Sequence, residues 1–231
     1  MDVERRHLAQ VVELRAAQSG PGVLAGYAAK YMRYSQNLGG FVEQIAPGAF
    51  AKSLGDKVPV IARYNHDDNY LLGTTEAETL RVFSDADGLP YEVDLPDTSA
   101  GRDVAALAKR GDLRYSSFAF HTLEDEWSVT EQGFPLRTLL NVQLVDVAPV
   151  NTPAYLDTST GIRSLAQRID VDPEDVGRVS LDEIRSRLAI IHQFDPEQRD
   201  EEKDSEQKNE QGETHSTLNL RVRELELLKL R

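Results

Sequence analysis

The chain of 231 residues contains no cysteine. Disulfide scaffolds, thiolate zinc sites and a cysteine nucleophile are therefore excluded. Nucleophilic chemistry is left to Ser, Thr, Lys or a carboxylate. No apolar run reaches about 18 residues, so no membrane-spanning helix is expected. The charged start, Met1-Asp2-Val3-Glu4-Arg5-Arg6, has no apolar stretch behind it, so a secretory signal is not expected either. Positive charge is scarce, with 26 Lys and Arg against 39 Asp and Glu, a formal net charge of -13. That sign opposes binding to phosphate backbones and to anionic membranes. The expectation is a cytoplasmic protein with neither nucleic acid nor membrane as partner. Phosphate-binding P-loops and G-x-S-x-G elbows are missing as well, which argues against an α/β-hydrolase. Gly20-Pro21-Gly22-Val23-Leu24-Ala25 matches a relaxed dinucleotide fingerprint. It is discounted because no convincing helix follows and Pro21 removes a donor.

What is present is 40% hydrophobic, enough for a core in one domain or two small ones. Residues 10–165 read mainly as strands. Val12, Leu14 and Ala16 alternate with polar neighbours, and after Gly20-Pro21-Gly22 the run Val23 to Tyr31 returns as a hairpin partner. Pro47 to Leu54 reads as a short helix ended by Gly55, and Val58 to Tyr64 as a strand. Asp85-Ala86-Asp87-Gly88 is a hairpin turn between Thr79–Phe83 and Leu89–Leu95. Asp103 to Arg110 has helical spacing and Gly111 is its stop. Four further strands are expected at Leu113–Phe120, Glu126–Val129, Arg137–Val142 and Leu144–Val150. The predicted class is mostly β with peripheral helices (α+β), a compact barrel or sandwich. Residues 166–194 are expected to be helical, with Ser180-Leu181-Asp182-Glu183 as a capping box. Residues 195–215 contain nine acidic and three basic residues and no hydrophobic one, the composition of a disordered acidic linker. In residues 216–231, seven Leu or Val side chains accompany a charge of +2, which reads as a docking segment or as a final helix packed on its own domain.

Five histidines are available: His7, His66, His121, His192 and His215. His7 and His215 fall in segments expected to fray, His192 suits a helix C-terminus, and His121 reads as a half-exposed strand residue. His66, in Asn65-His66-Asp67-Asp68-Asn69, follows a strand. It reads as a surface-loop residue, a metal ligand lacking companions, or a general base at a strand end. Ser116 and Ser117 lie in a strand with Ala119 close by, and their side chains are expected on opposite faces. Asp146 interrupts the apolar run Leu144 to Val150, so it requires water or a partner such as a His.

The order of several short segments resembles the prohead proteases of tailed bacteriophages. These include Gly26-Tyr27-Ala28, Glu43 to Phe50, Asn65-His66-Asp67, Leu72-Gly73-Thr74, Gly88-Leu89 and Leu95-Pro96. They continue with Arg110-Gly111-Asp112, Ser117-Phe118-Ala119-Phe120, Asp146 to Val150 and Pro153-Ala154-Tyr155, covering residues 22–163. The resemblance implies an assemblin-like β-barrel and a serine endopeptidase with no cofactor. By position it implies His66 as base, Ser117 as nucleophile and Asp146 as third member. Ala119 stands where the family usually has Gly and Ala148 where it usually has Ser; neither change removes a chemical group. Ser116, beside the assigned nucleophile, stays an alternative. The resemblance further implies cleavage of a scaffold or major capsid protein precursor, and of the protease itself, inside the immature prohead. That setting lies in the host cytoplasm; a homo-oligomer is left open. Two other classes compete: a non-enzymatic scaffolding protein using the same barrel and tail, and an esterase-like hydrolase.

Overall fold

The computed structural model describes residues 3–9, 12–17, 20–151 and 159–194, with side chains described as far as residue 189. The expected acidic linker and docking segment lie outside the described residues, as do His215 and Pro153-Ala154-Tyr155. The chain divides into two units, Met1–Leu188 and Ala189–Arg231. Of the second, the described part is the end of the last helix.

Among the described residues, ten strands form two sheets. One contains β1 (Glu4–Leu8), β9 (Tyr115–Val129), β10 (Pro135–Val150), β5 (Ile61–Arg63) and β6 (Leu71–Thr74) in that order. The sixth member, β4 (Val42–Ile45), also pairs with β10. The other sheet is antiparallel, in the order β2 (Glu13–Arg15), β3 (Val23–Lys30), β8 (Gly88–Asp94) and β7 (Leu80–Val82). β9 and β10 form one long hairpin where sequence alternation predicts four short strands. Along its far side, β10 pairs in parallel first with β4 and then with β5.

The mostly-β, α+β class holds, with one correction. Among the described residues the strand ladder does not close into a barrel; hydrogen bonding stops at the borders of two sheets. What unites the sheets is a shared core. Leu24, Tyr91 and Val93 from one sheet and Phe118, Leu144 and Val147 from the other are buried in one cluster. Phe50 reaches it with its ring edge against Phe118, centroids 5.6 Å apart.

The described residues also include four α-helices: α1 (Ala51–Gly55), α2 (Ser99–Arg110), α3 (Ser159–Ile169) and α4 (Leu181–Phe194). The Thr98 side chain accepts a hydrogen bond from the Gly101 N–H at the start of α2, and Gly111 closes it at φ 79°. Ser180 Oγ likewise accepts from the Glu183 N–H ahead of α4, as the capping box predicts. Helix begins at Ser159, seven residues before the sequence pattern suggests. Leu165 and Ile169 of α3 share a second core with Leu38, Phe41 and Trp127.

His7 does not fray. It lies in β1, paired antiparallel with β9. The strand is hard to read because its buried residues are Glu4 and Arg6, charged side chains where alternation looks for apolar ones. The Gly20-Pro21-Gly22 segment leads into β3 rather than into a helix. No helix among the described residues is long and apolar enough to cross a membrane.

Candidate active site

The three residues singled out by position meet in space. His66 Nδ1 is 2.6 Å from Asp146 Oδ1. His66 Nε2 is 2.6 Å from Ser117 Oγ. A carboxylate only accepts, so Nδ1 carries a proton toward Asp146, and in the tautomer with that single ring proton Nε2 is the acceptor facing the hydroxyl.

Each side chain is aimed by local backbone. Ser117 lies in β9, opposite Ala148 of β10. Its neighbour Ser116 faces the other way, with its Oγ 3.0 Å from the Tyr91 hydroxyl inside the core. This is the period-two rule of a strand. Ser116 thus does not meet the imidazole.

Asp146 depends on an irregularity. The register passes from Leu144↔Phe120 to Asp146↔Ala119, so Val145 is an extra residue on β10. In a regular strand Leu144 and Asp146 would share a face. The bulge lets Leu144 and Val147 both enter the core and turns Asp146 toward His66.

His66 ends a single 3-10 turn, Tyr64–His66, directly after β5. Asn65 and His66 both adopt positive φ, 56° and 57°. Asn tolerates this region better than most residues, and Asn65 Oδ1 also accepts a hydrogen bond from the Asn151 N–H at 3.1 Å. The parallel pairing of Ile61 and Ala62 with Asp146 and Val147 brings that turn to the Asp146 end of β10.

Two contacts were not foreseen from sequence. Arg63 donates to Asp146 Oδ2 at 3.4 Å, while its guanidinium also lies 2.7 Å from Asp68 Oδ1. A basic residue three positions before His66 was the available signal. Ser117 Oγ also lies 2.8 Å from the main-chain oxygen of Arg6, a contact no residue pattern encodes. His7, directly opposite Ser117 across the strand pair, is half-buried. Burial, with the charge of Arg6 behind it, holds its imidazole below the ordinary range. His121 lies in β9 opposite Gln143, and His192 falls in α4 beyond the described side chains. Among the described residues, no group of three or more His, Asp or Glu is arranged to hold a metal ion.

A buried hydroxyl, imidazole and carboxylate in one hydrogen-bonded line can generate an oxygen nucleophile. Comparison with known families agrees with that chemistry: residues 10–170 match the Caudovirus prohead serine protease family. The chain belongs to that family. It is accordingly a serine-protease-type peptide hydrolase of phage capsid assembly. Among solved structures it is similar to the bacteriophage T4 capsid assembly protease gp21, at 12% identity and a TM-score of 0.42. That similarity covers 64% of this chain and 96% of the other. No curated protein matches the chain.

Proposed function

We propose that this prohead protease cleaves peptide bonds through an acyl-enzyme formed on Ser117, with His66 as general base and Asp146 as the orienting acid. The observation that carries the reading is the unbroken line Ser117 Oγ, His66 Nε2, His66 Nδ1, Asp146 Oδ1, with both links at 2.6 Å. In the attack, the Ser117 oxygen bonds to the scissile carbonyl carbon while its proton passes to Nε2. The imidazolium then gives that proton to the departing amine as the C–N bond breaks. A water then attacks the acyl carbon while its proton passes to the same nitrogen, which returns it to Ser117 Oγ as the ester bond breaks. The substrate we assign is the major capsid protein precursor or scaffold inside the immature shell, together with the protease's own chain. Residues 10–165 form the protease domain in this reading. The two sheets around one core act as an open, assemblin-like barrel, and residues 195–231 are a removable targeting extension.

The test is co-expression with the cognate capsid protein, with products read by mass. Ser117→Ala and His66→Ala are expected to leave the precursor uncut, a loss of roughly 10^4-fold or more. Asp146→Asn is expected to slow cleavage by about 10^2 to 10^4, because the ring loses its fixed tautomer. Undiminished cleavage by Ser117→Ala overturns the assignment. A non-enzymatic scaffold predicts no Ser117-dependent product at all.

A further inference from the structure

The nucleophile is covered. Ser117 is 1% exposed and the His66 side chain 5%, so the pair offers very little open surface to a polypeptide in this conformation. The element hydrogen-bonded to it is β1. That strand runs antiparallel along β9 at the outer edge of its sheet, with His7 opposite Ser117. The Arg6 carbonyl accepts a hydrogen bond from Ser117 Oγ at 2.8 Å. A hydroxyl has one proton. Here it faces two acceptors, Arg6 O at 2.8 Å and His66 Nε2 at 2.6 Å. A proton given to the Arg6 carbonyl is not passing to the base.

The opposite face of β1 supplies a latch. Arg6 bonds Glu43 Oε1 through Nε at 2.7 Å, and Arg137 Nη1 lies 2.8 Å from Glu4 Oε2 and 3.0 Å from Glu43 Oε2. These four side chains are at most 7% exposed. Asp125 joins through Arg137 Nε at 2.7 Å. β1 thus carries an ionic anchor on one face and a carbonyl pressed on the nucleophile from its backbone. It also lies outside the stretch, residues 10–170, that matches the family.

We propose that Glu4–Leu8 is an inhibitory strap. It occupies the place beside β9 that an extended segment of a protein substrate takes, and cleavage requires it to shift. The inference rests on Ser117 being the nucleophile. The chain's lack of cysteine allows a clean lock: Arg5→Cys with Ala119→Cys joins residues that face each other in the β1–β9 register. The full-length double variant is exposed to a fluorophosphonate, oxidised and then reduced, and the labelled residue is identified by mass. The expected result is loss of labelling when the disulfide ties the strap down, restored by reductant. Equal labelling in the two forms overturns the strap, whatever its level. A label on a residue other than Ser117 overturns the nucleophile assignment instead, so the two failures are distinct. A second variant starting at Gln10 is expected to label faster than the full chain; if it labels no faster while retaining the β-sheet circular dichroism of the full chain, the strap is likewise refuted.

Discussion

At the scale of single residues, segment order pointed to Ser117, His66 and Asp146, which meet in space, but it did not show how each side chain is aimed. Alternation places Asp146 on the face of Leu144; the extra Val145 reverses that, and no residue type announces a bulge. Ser116 and Ser117 are alike in sequence and separate only by the face each occupies. Ser116→Ala is therefore expected to keep full cleavage while losing about 1 kcal/mol of stability, since the buried Tyr91 hydroxyl loses its partner. A melting curve beside a cleavage assay checks both halves. Arg63 holds the outer oxygen of Asp146, partly exposed at 21%. Arg63→Ala is expected to lower kcat several-fold with KM little changed, and Arg63→Lys to recover part of it.

At the scale of elements, helix ends were partly legible. Gly111 is the predicted stop of α2, but the helix starts at Ser99, four residues ahead of the predicted Asp103 (103 - 99 = 4), with Thr98 as its cap. Thr98→Ala is expected to cost about 1 kcal/mol, measured by denaturant midpoint. β4 and β1 escaped because they are short and polar. β1 is held by charge pairs whose partners, Glu43, Arg137 and Asp125, are distant in sequence. Burial opposes the charge on Arg137, yet Glu4, Glu43 and Asp125 more than offset it and raise its proton affinity. Removing one partner leaves buried carboxylates uncompensated. Arg137→Met is expected to destabilise by about 3 to 5 kcal/mol, far more than any exposed ion pair here.

At the scale of the whole molecule, the class was legible and the closure was not, because alternation reports which residues face inward but not which strands pair. The same ionic cluster gives the protein an acid limit. Burial raises the Glu4 carboxyl, but the hydrogen bond and charge of Arg137, with Arg6 and Thr122, bring it below its ordinary 4.5. Hydrogen bonding to Arg81 lowers Asp94 below 3.8 in the same direction. A depressed carboxyl stabilises the fold fully above its unfolded value. That contribution is lost as pH falls through the folded one. Unfolding free energy is thus expected to begin falling gently below about pH 7, where the lowered His7 takes up its proton in the unfolded chain, and to fall further below about pH 5 through these carboxylates, with a shallower acid slope in Glu4→Gln. β10 has a further consequence. Its pairings reach back to Val42–Ile45 and Ile61–Ala62, contacts separated by some 85 to 94 positions (146 - 61 = 85; 136 - 42 = 94). Such distant partners make for a slow search. A chain still short of Val150 has no finished ledge for the His66 turn, so the pairing of His66 with Asp146 waits until β10 is complete.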